Sequence, residues 1–129
     1  MDICGQHLSH LSERVGANFR VSVKRAIGYE DDPAVAHNTT INEYVVTWTD
    51  DRNSATRSTD IYAQLVTSDG QRQGANFRIS LGTAPDEAGS QSHSELADDA
   101  PNNRYLVVWR DERSALTRGP DIFGQAVRG

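Results

Sequence analysis

The chain has 129 residues, 36% of them apolar, with 13 Lys or Arg against 18 Asp or Glu and a formal net charge of −5. That length suits a single domain, and the basic residues are scattered instead of forming the stripe that nucleic acid would require. No apolar run approaches the roughly 20 residues of a membrane-spanning helix, and no basic-then-apolar leader opens the sequence. Read literally, this predicts a cytoplasmic protein; an excerpt of a secreted or cell-surface repeat protein would read the same way.

The first strand candidate, residues 3–8, belongs to the block Asp2-Ile3-Cys4-Gly5-Gln6. Residues 8–13 read as a turn, and a strand follows over 18–23. Residues 34–37 make a short strand. Residues 43–49 make the most informative one, because Tyr44-Val45-Val46-Thr47-Trp48 does not alternate apolar with polar. Such a run puts bulky groups on both faces of a sheet, so both faces must be covered. A strand over 61–66 leads through Ser68-Asp69-Gly70-Gln71, a tight turn with Gly70 available for positive φ, into a strand over 76–81. There Phe77 and Ile79 point one way while Asn76, Arg78 and Ser80 point the other. Further strands are expected at 95–98, 104–110 and 122–127. Val, Ile, Tyr, Phe, Trp and Thr dominate these runs, with Gly, Asn, Asp, Pro and Ser between them. The predicted class is all-β.

These elements repeat. Asp2 to Asp60 and Gly16 to Gly74 are steps of 58 residues, whereas Trp48 to Trp109 and Asp60 to Asp121 are steps of 61. The three extra residues fall between Ser80 and Ser94, in a Gly/Pro/Ser/Asp-rich segment where added length costs least. The single repeat domain over 1–129 therefore divides into a partial unit at 1–23, a full unit at 33–81 and a partial unit at 94–129. The Asp-Ile block occurs three times, so the two ends of the chain offer the same strand for one structural slot. Arrays of this kind stack one supersecondary unit on copies of itself.

The shared pattern is Tyr-Val-Val-x-Trp-x-Asp-x-Arg, then Asp-Ile-Tyr-Gly-Gln, then Gly-x-x-Phe-Arg-Ile-Ser. It resembles repeats found in long arrays on large bacterial secreted or surface proteins. Ala63 departs from it in place of Gly and Cys4 in place of the aromatic residue. The resemblance covers nearly the whole chain and implies β-propeller-like blades. The expectation is thus two four-stranded antiparallel propeller-like blades per chain, closing by oligomerisation or as part of a longer array. A unit with two apolar faces needs a neighbour on each side, which predicts self-association through blade faces into a homo-oligomer. The strand over 121–127 is expected to act as a clasp beside the N-terminal strands of the next copy.

Asp50, Arg52 and Asp60 recur as Asp111, Arg113 and Asp121. An Arg between two carboxylates on adjacent strand ends is expected to clip the loop closed. These six residues are also the candidate ligand-binding set, at the loop ends of a ring. A single active site needs no duplicate, so the chain is read as a non-catalytic module for structural assembly or protein interaction, and not as an enzyme. The alternative is a carbohydrate-binding, lectin-like propeller with repeated rim pockets. A glycoside hydrolase is a distant third, because the sialidase-type repeat Ser-x-Asp-x-Gly-x-Thr-Trp is absent. The Glu30-Asp31-Asp32, Asp50-Asp51, Asp98-Asp99 and Asp111-Glu112 clusters would suit calcium, but no EF-hand spacing accompanies them and turn chemistry explains them. No cofactor is expected. His7, His10, His37 and His93 do not repeat as a set, and no zinc pattern or nucleophile elbow appears. Cys4 is read as an apolar strand residue. Trp48 and Trp109 are read as core anchors, and Arg20 and Arg78 as a repeated outer-face feature.

Overall fold

A computed structural model describes residues 1–23, 28–81 and 89–129. The fold is all-β, with antiparallel strands in three sheets of two, four and three strands. The first sheet pairs β1 (Cys4–Leu8) with β2 (Arg14–Arg20). The second has the order β3-β4-β5-β6, from β3 (Glu30–Asn38), β4 (Glu43–Asp50), β5 (Asp60–Thr67) and β6 (Arg72–Arg78). The third has the order β7-β8-β9, from β7 (Gln91–Asp99), β8 (Arg104–Asp111) and β9 (Asp121–Arg128). Two single helical turns, α1 (Ser54–Arg57) and α2 (Ala115–Arg118), sit in the equivalent β4–β5 and β8–β9 loops.

Each expected strand is present, but the expected two blades of four become sheets of two, four and three. The described strands form open sheets and no closed ring. Several boundaries differ from expectation: the strand expected over 18–23 runs over Arg14–Arg20 and that over 76–81 runs over Arg72–Arg78, while two others differ because of bulges. Residues 34–37 and 95–98 extend backwards into β3 and β7 because each strand carries a bulge, at Asp31/Ala34 and at Ser92/Glu95. Asp32 and His93 take positive φ there, at 49° and 55°. A bulge lets a strand continue past a residue that breaks the ladder, which a reading by alternation stops at. Glu30-Asp31-Asp32 is therefore strand and bulge instead of loop. The expected strand over 76–81 begins earlier, at Arg72, because the turn hands the chain straight to the ladder: Thr67 N donates to Gln71 O (2.8 Å), Gly70 N donates to Thr67 O (3.0 Å), and Gly70 has φ 85°. Residues 8–13 form the corresponding turn, closed by Ser12 N donating to Ser9 O (3.0 Å).

The middle sheet is covered on both faces, as the unbroken apolar run of β4 requires. Val45 joins Ile61, Ala63 and Ile79 in a core against Tyr105, Val107 and Trp109 of the third sheet. Trp48, Tyr62 and Val66 form a second core with Ile3 and Val21 from the ends of the first sheet. Burying a side chain such as Val45 or Ile61 contributes about 2 kcal/mol. Trp48 and Trp109 are both core residues. Polar bonds also cross the junctions. Thr47 Oγ1 and Ser94 Oγ lie 2.8 Å apart, and Tyr105 Oη donates to Glu43 O (3.0 Å). Val23 N donates to Asn76 Oδ1 (2.9 Å), tying the end of the first sheet's chain to β6.

A second repeated device holds each outer hairpin. Gln64 Nε2 donates to Leu65 O (2.9 Å) and Gln73 O (2.7 Å), and Gln6 Nε2 donates to His7 O (3.0 Å) and Val15 O (3.2 Å). The amide replaces ladder bonds lost at the register shifts in β1–β2 and β5–β6. Val23 and Leu81 keep the shorter step and Glu30 and Gln91 the longer, so the three-residue insertion falls in a stretch that includes residues 82–88, outside the described residues.

Candidate functional site

The duplicated Asp-Arg residues lie where β4 ends and β5 begins, and again where β8 ends and β9 begins. Asp50 and Asp60 are paired in the ladder, as are Asp111 and Asp121. Arg52 grips Asp50 through two parallel bonds, Nε to Oδ1 (2.8 Å) and Nη2 to Oδ2 (2.5 Å). Its backbone N donates to Oδ1 (2.8 Å), and Trp48 Nε1 donates to Oδ2 (2.9 Å). The guanidinium lies 3.7 Å from the centre of the Tyr62 ring. Arg113 repeats the arrangement on Asp111, with bonds of 2.8 and 2.5 Å, Trp109 Nε1 at 3.1 Å and the Phe123 ring at 4.4 Å.

One part of the expected clip is corrected by this geometry. The guanidinium does not bridge two carboxylates, because Asp60 is met from the other side by β6. Arg78 Nη1 lies 3.4 Å from Asp60 Oδ1, Ser80 Oγ 3.3 Å from the same oxygen, and Asn53 Nδ2 3.4 Å from Oδ2. The two carboxylates are ladder neighbours, but the fork of Arg52 is matched to both oxygens of Asp50, while Asp60 is engaged by Arg78, Ser80 and Asn53. Arg20 and Arg78, read from sequence as an outer-face feature, are thus carboxylate partners, since Arg20 also pairs with Asp2 at 3.1 Å. Asp121 has the same strand position in β9, beyond which the third sheet has no fourth strand among the described residues.

Asp50 is fully buried at its side chain and Arg52 is 14% exposed. Burial pushes the Asp50 carboxyl up, but the bonds from Arg52 and Trp48 outweigh it, so the group titrates below its ordinary value. Asp111 balances the same way, and Arg52 is held above its ordinary value against its own burial by Asp50. Glu43 goes in the opposite direction: burial raises its carboxyl, only partly offset by Tyr105, and its Oε1 has no hydrogen-bond partner among the described residues. The Asp-Arg pairs hold loops and anchor the Trp rings. A ligand at these guanidinium groups would compete with an intramolecular bidentate carboxylate.

The acidic clusters are spread among separate partners. Glu30 accepts from Ser22 Oγ (2.5 Å), Asp51 from Tyr29 N (2.6 Å), and Asp99 from Arg104 Nη2 (2.7 Å). Arg110 pairs with Glu112 at 2.8 Å. Among the described residues no group of three or more His, Cys, Asp or Glu could hold a metal ion, and no helix is long and apolar enough to cross a membrane. His7 and His37 converge on Tyr44 from two sides, with ring centres 5.7 and 4.4 Å away, while His93 faces Asp32 at 3.6 Å. Cys4 is exposed on β1.

A concave feature lies elsewhere, between the first sheet and the near face of the second. It is an apolar groove of about 470 Å³, lined by Ile3, Phe19, Val35, Tyr44, Val46 and Val66 among others. From sequence Val35 is part of the strand expected over 34–37, with no groove beside it. The available signal was an unmatched count, because the outer pair β1–β2 has no inner pair beside it among the described residues.

An all-β repeat architecture with duplicated internal clips is what the fold and this site define. Comparison with protein families, with curated proteins and with solved structures finds no match for the chain.

Proposed function

We propose that this chain is a non-catalytic β-repeat module whose role is assembly, with propeller-like blades stacking through their faces within and between copies. One contrast carries the reading. The β4–β5 centre of the middle sheet is buried on both faces, whereas apolar side chains stand exposed on the flanking sheets, Leu8 and Val15 on the first and Leu106 and Ile122 on the third, and Val35 of β3 is exposed in the groove beside the first. Leu106 and Ile122 share one face of the third sheet, as the pairing of Ile122 with Arg110 dictates, and contiguous exposed apolar surface marks an interaction face. The duplicated Asp-Arg pairs support the same reading, because both copies spend their polar groups on holding loops. In a repeat array the terminal faces must be capped or joined, and joining completes two blades per copy. The proposed range is therefore a homo-oligomeric ring or a stretch of a longer array, with bacterial secreted or surface repeat proteins as the proposed kin.

Multi-angle light scattering across a hundredfold dilution series tests this. The expected result is a mass that is an integral multiple of the 14.2 kDa chain at the upper concentrations. A monomeric mass throughout the series would overturn the proposal.

A further inference from the structure

The geometry points to a specific docking mode: the β7–β8 strand pair of a second copy fills the groove beside β1, and β1 takes the edge of that copy's β8 now held by β9. This rests on the assembly reading above and goes further by naming the surfaces and the strand exchanged.

The internal repeat supplies the template. β1–β2 stands to the middle sheet as β5–β6 stands to the third sheet. Ile3, Val21 and Phe19 pack with Trp48, Tyr62 and Val66, and their counterparts Ile61, Ile79 and Phe77 pack with Trp109 and Val127. The inner junction has one further contribution, because β3 and β4 add Ala36 and Val45 to it. At the outer junction the counterparts of those two are Ala97 and Leu106, which lie on the far face of the third sheet. The groove is the space they would fill. Its floor residue Val35 is 62% exposed, and Leu106 is 49% exposed where Val45 is wholly buried.

Side-chain complementarity favours a second copy of this chain as the occupant. Inside the chain, Thr47 and Ser94 meet across the junction in a buried hydrogen bond. The repeat carries Thr47 onto Val108 and Ser94 onto Pro33. Both partners change together, from a polar pair to an apolar pair, so neither face leaves a buried hydroxyl unsatisfied. The Tyr105 hydroxyl, which donates to Glu43 O inside the chain, becomes Tyr44 facing the Arg104 carbonyl of the second copy.

The ladder register follows too. β4 pairs with β5 as Asp50 with Asp60, Trp48 with Tyr62 and Val45 with Leu65. Between copies this becomes Asp111 with Asp2, Trp109 with Cys4 and Leu106 with His7. β9 now occupies that edge of β8, pairing Trp109 with Phe123 and Leu106 with Ala126. The sequences Asp121-Ile122-Phe123-Gly124-Gln125 and Asp2-Ile3-Cys4-Gly5-Gln6 offer the same backbone partners. β9 supplies Val127 to the inner core and Phe123 beside Trp109, where β1 would supply Leu8 and Cys4, but it leaves Ile122 74% exposed, against 0% for its counterpart Ile61. Replacing β9 with β1 keeps the ladder and adds burial of the Leu106 face in the groove.

Two variants test this alongside the wild-type mass. Leu106→Glu, at a position exposed within one chain, is expected to convert the assembled species to monomer with an unchanged far-UV circular dichroism spectrum. His7→Cys with Leu106→Cys, in a Cys4→Ser background, is expected to give disulfide-linked species of multiple chain mass that reductant removes. If wild type assembles while Leu106→Glu keeps the assembled mass, or the cysteine pair closes only within single chains, this docking mode is overturned and assembly by another surface remains. A wild-type protein that is monomeric throughout overturns the assembly reading itself.

Discussion

Arg52 lies over the Tyr62 ring and grips Asp50 with two parallel bonds, so its removal would strip a bidentate partner from a carboxylate with no exposed side-chain surface. Breaking a buried pair on one side is strongly destabilising because the remaining charge has no solvent. Arg52→Ala is accordingly expected to cost about 3 kcal/mol in urea unfolding, and a loss below about 1 kcal/mol would mean the pair is solvated. Acid should act on the same groups. Asp50 and Asp111 titrate below their ordinary value in the fold. Their stabilisation is therefore fully present above the unfolded carboxylate value and is lost as pH falls through the depressed one. Glu43 behaves oppositely, since its raised carboxyl means that its charge opposes folding at neutral pH and ceases to do so once it is protonated. Glu43→Gln should raise the melting temperature at pH 7, and that advantage should vanish by about pH 3. An equal gain at both pH values would rule out the charge as its cause.

At the scale of elements, the Thr67–Arg72 turn joins local conformation to inter-sheet packing. Gly70 has φ 85°, and a Cβ there would lie 3.1 Å from two Phe19 ring atoms; Gly74, at φ 70°, has nothing within 4 Å. Both positions pay the left-handed penalty of about 1 kcal/mol when changed to Ala, but only Gly70 also presses on the first sheet. Gly70→Ala should therefore destabilise more than Gly74→Ala in thermal melts, and equal losses would mean that Phe19 yields without cost. The same elements show what could be read in advance. Tyr44-Val45-Val46-Thr47-Trp48 disclosed a doubly covered strand because two-sided apolarity has only one stable solution in water. Gly70 disclosed its turn by backbone freedom. Asp32 and His93 hid their bulges, since a positive-φ residue inside a strand leaves no compositional trace when it is not glycine. The Asp50–Arg52 bond followed from duplication, but the partner of Asp60 did not, because Arg78 arrives from a strand eighteen residues away whose pairing is set by the bulge near Ala63 and Leu65.

For the whole molecule, the three sheets use one kind of junction, in which an outer pair of strands and an inner pair jointly cover the face of the next sheet. The first sheet provides only the outer pair and the third provides an inner pair with an additional strand. The chain therefore presents unlike first and third sheets, and the docking proposed above sets the head of one copy against the tail of another. Head-to-tail contacts of this kind are heterologous, producing rings when the rotation closes and filaments when it does not. Sedimentation velocity is expected to show a closed species whose size stays constant as concentration rises; steady growth with concentration would indicate filaments.

The covered central sheet carries a consequence for counting. If the contact between copies repeats the contact inside each copy, successive blades are related by one rotation applied throughout. The number of chains in a ring is then no separate property to be selected by additional residues. It is fixed by how far the third sheet is swung from the second, with each chain advancing twice that swing around a common axis. Side chains at the inner seam, Ala36 and Leu96 among them, act as shims for that swing. Enlarging one of them would change the membership of the ring without touching any surface that copies share.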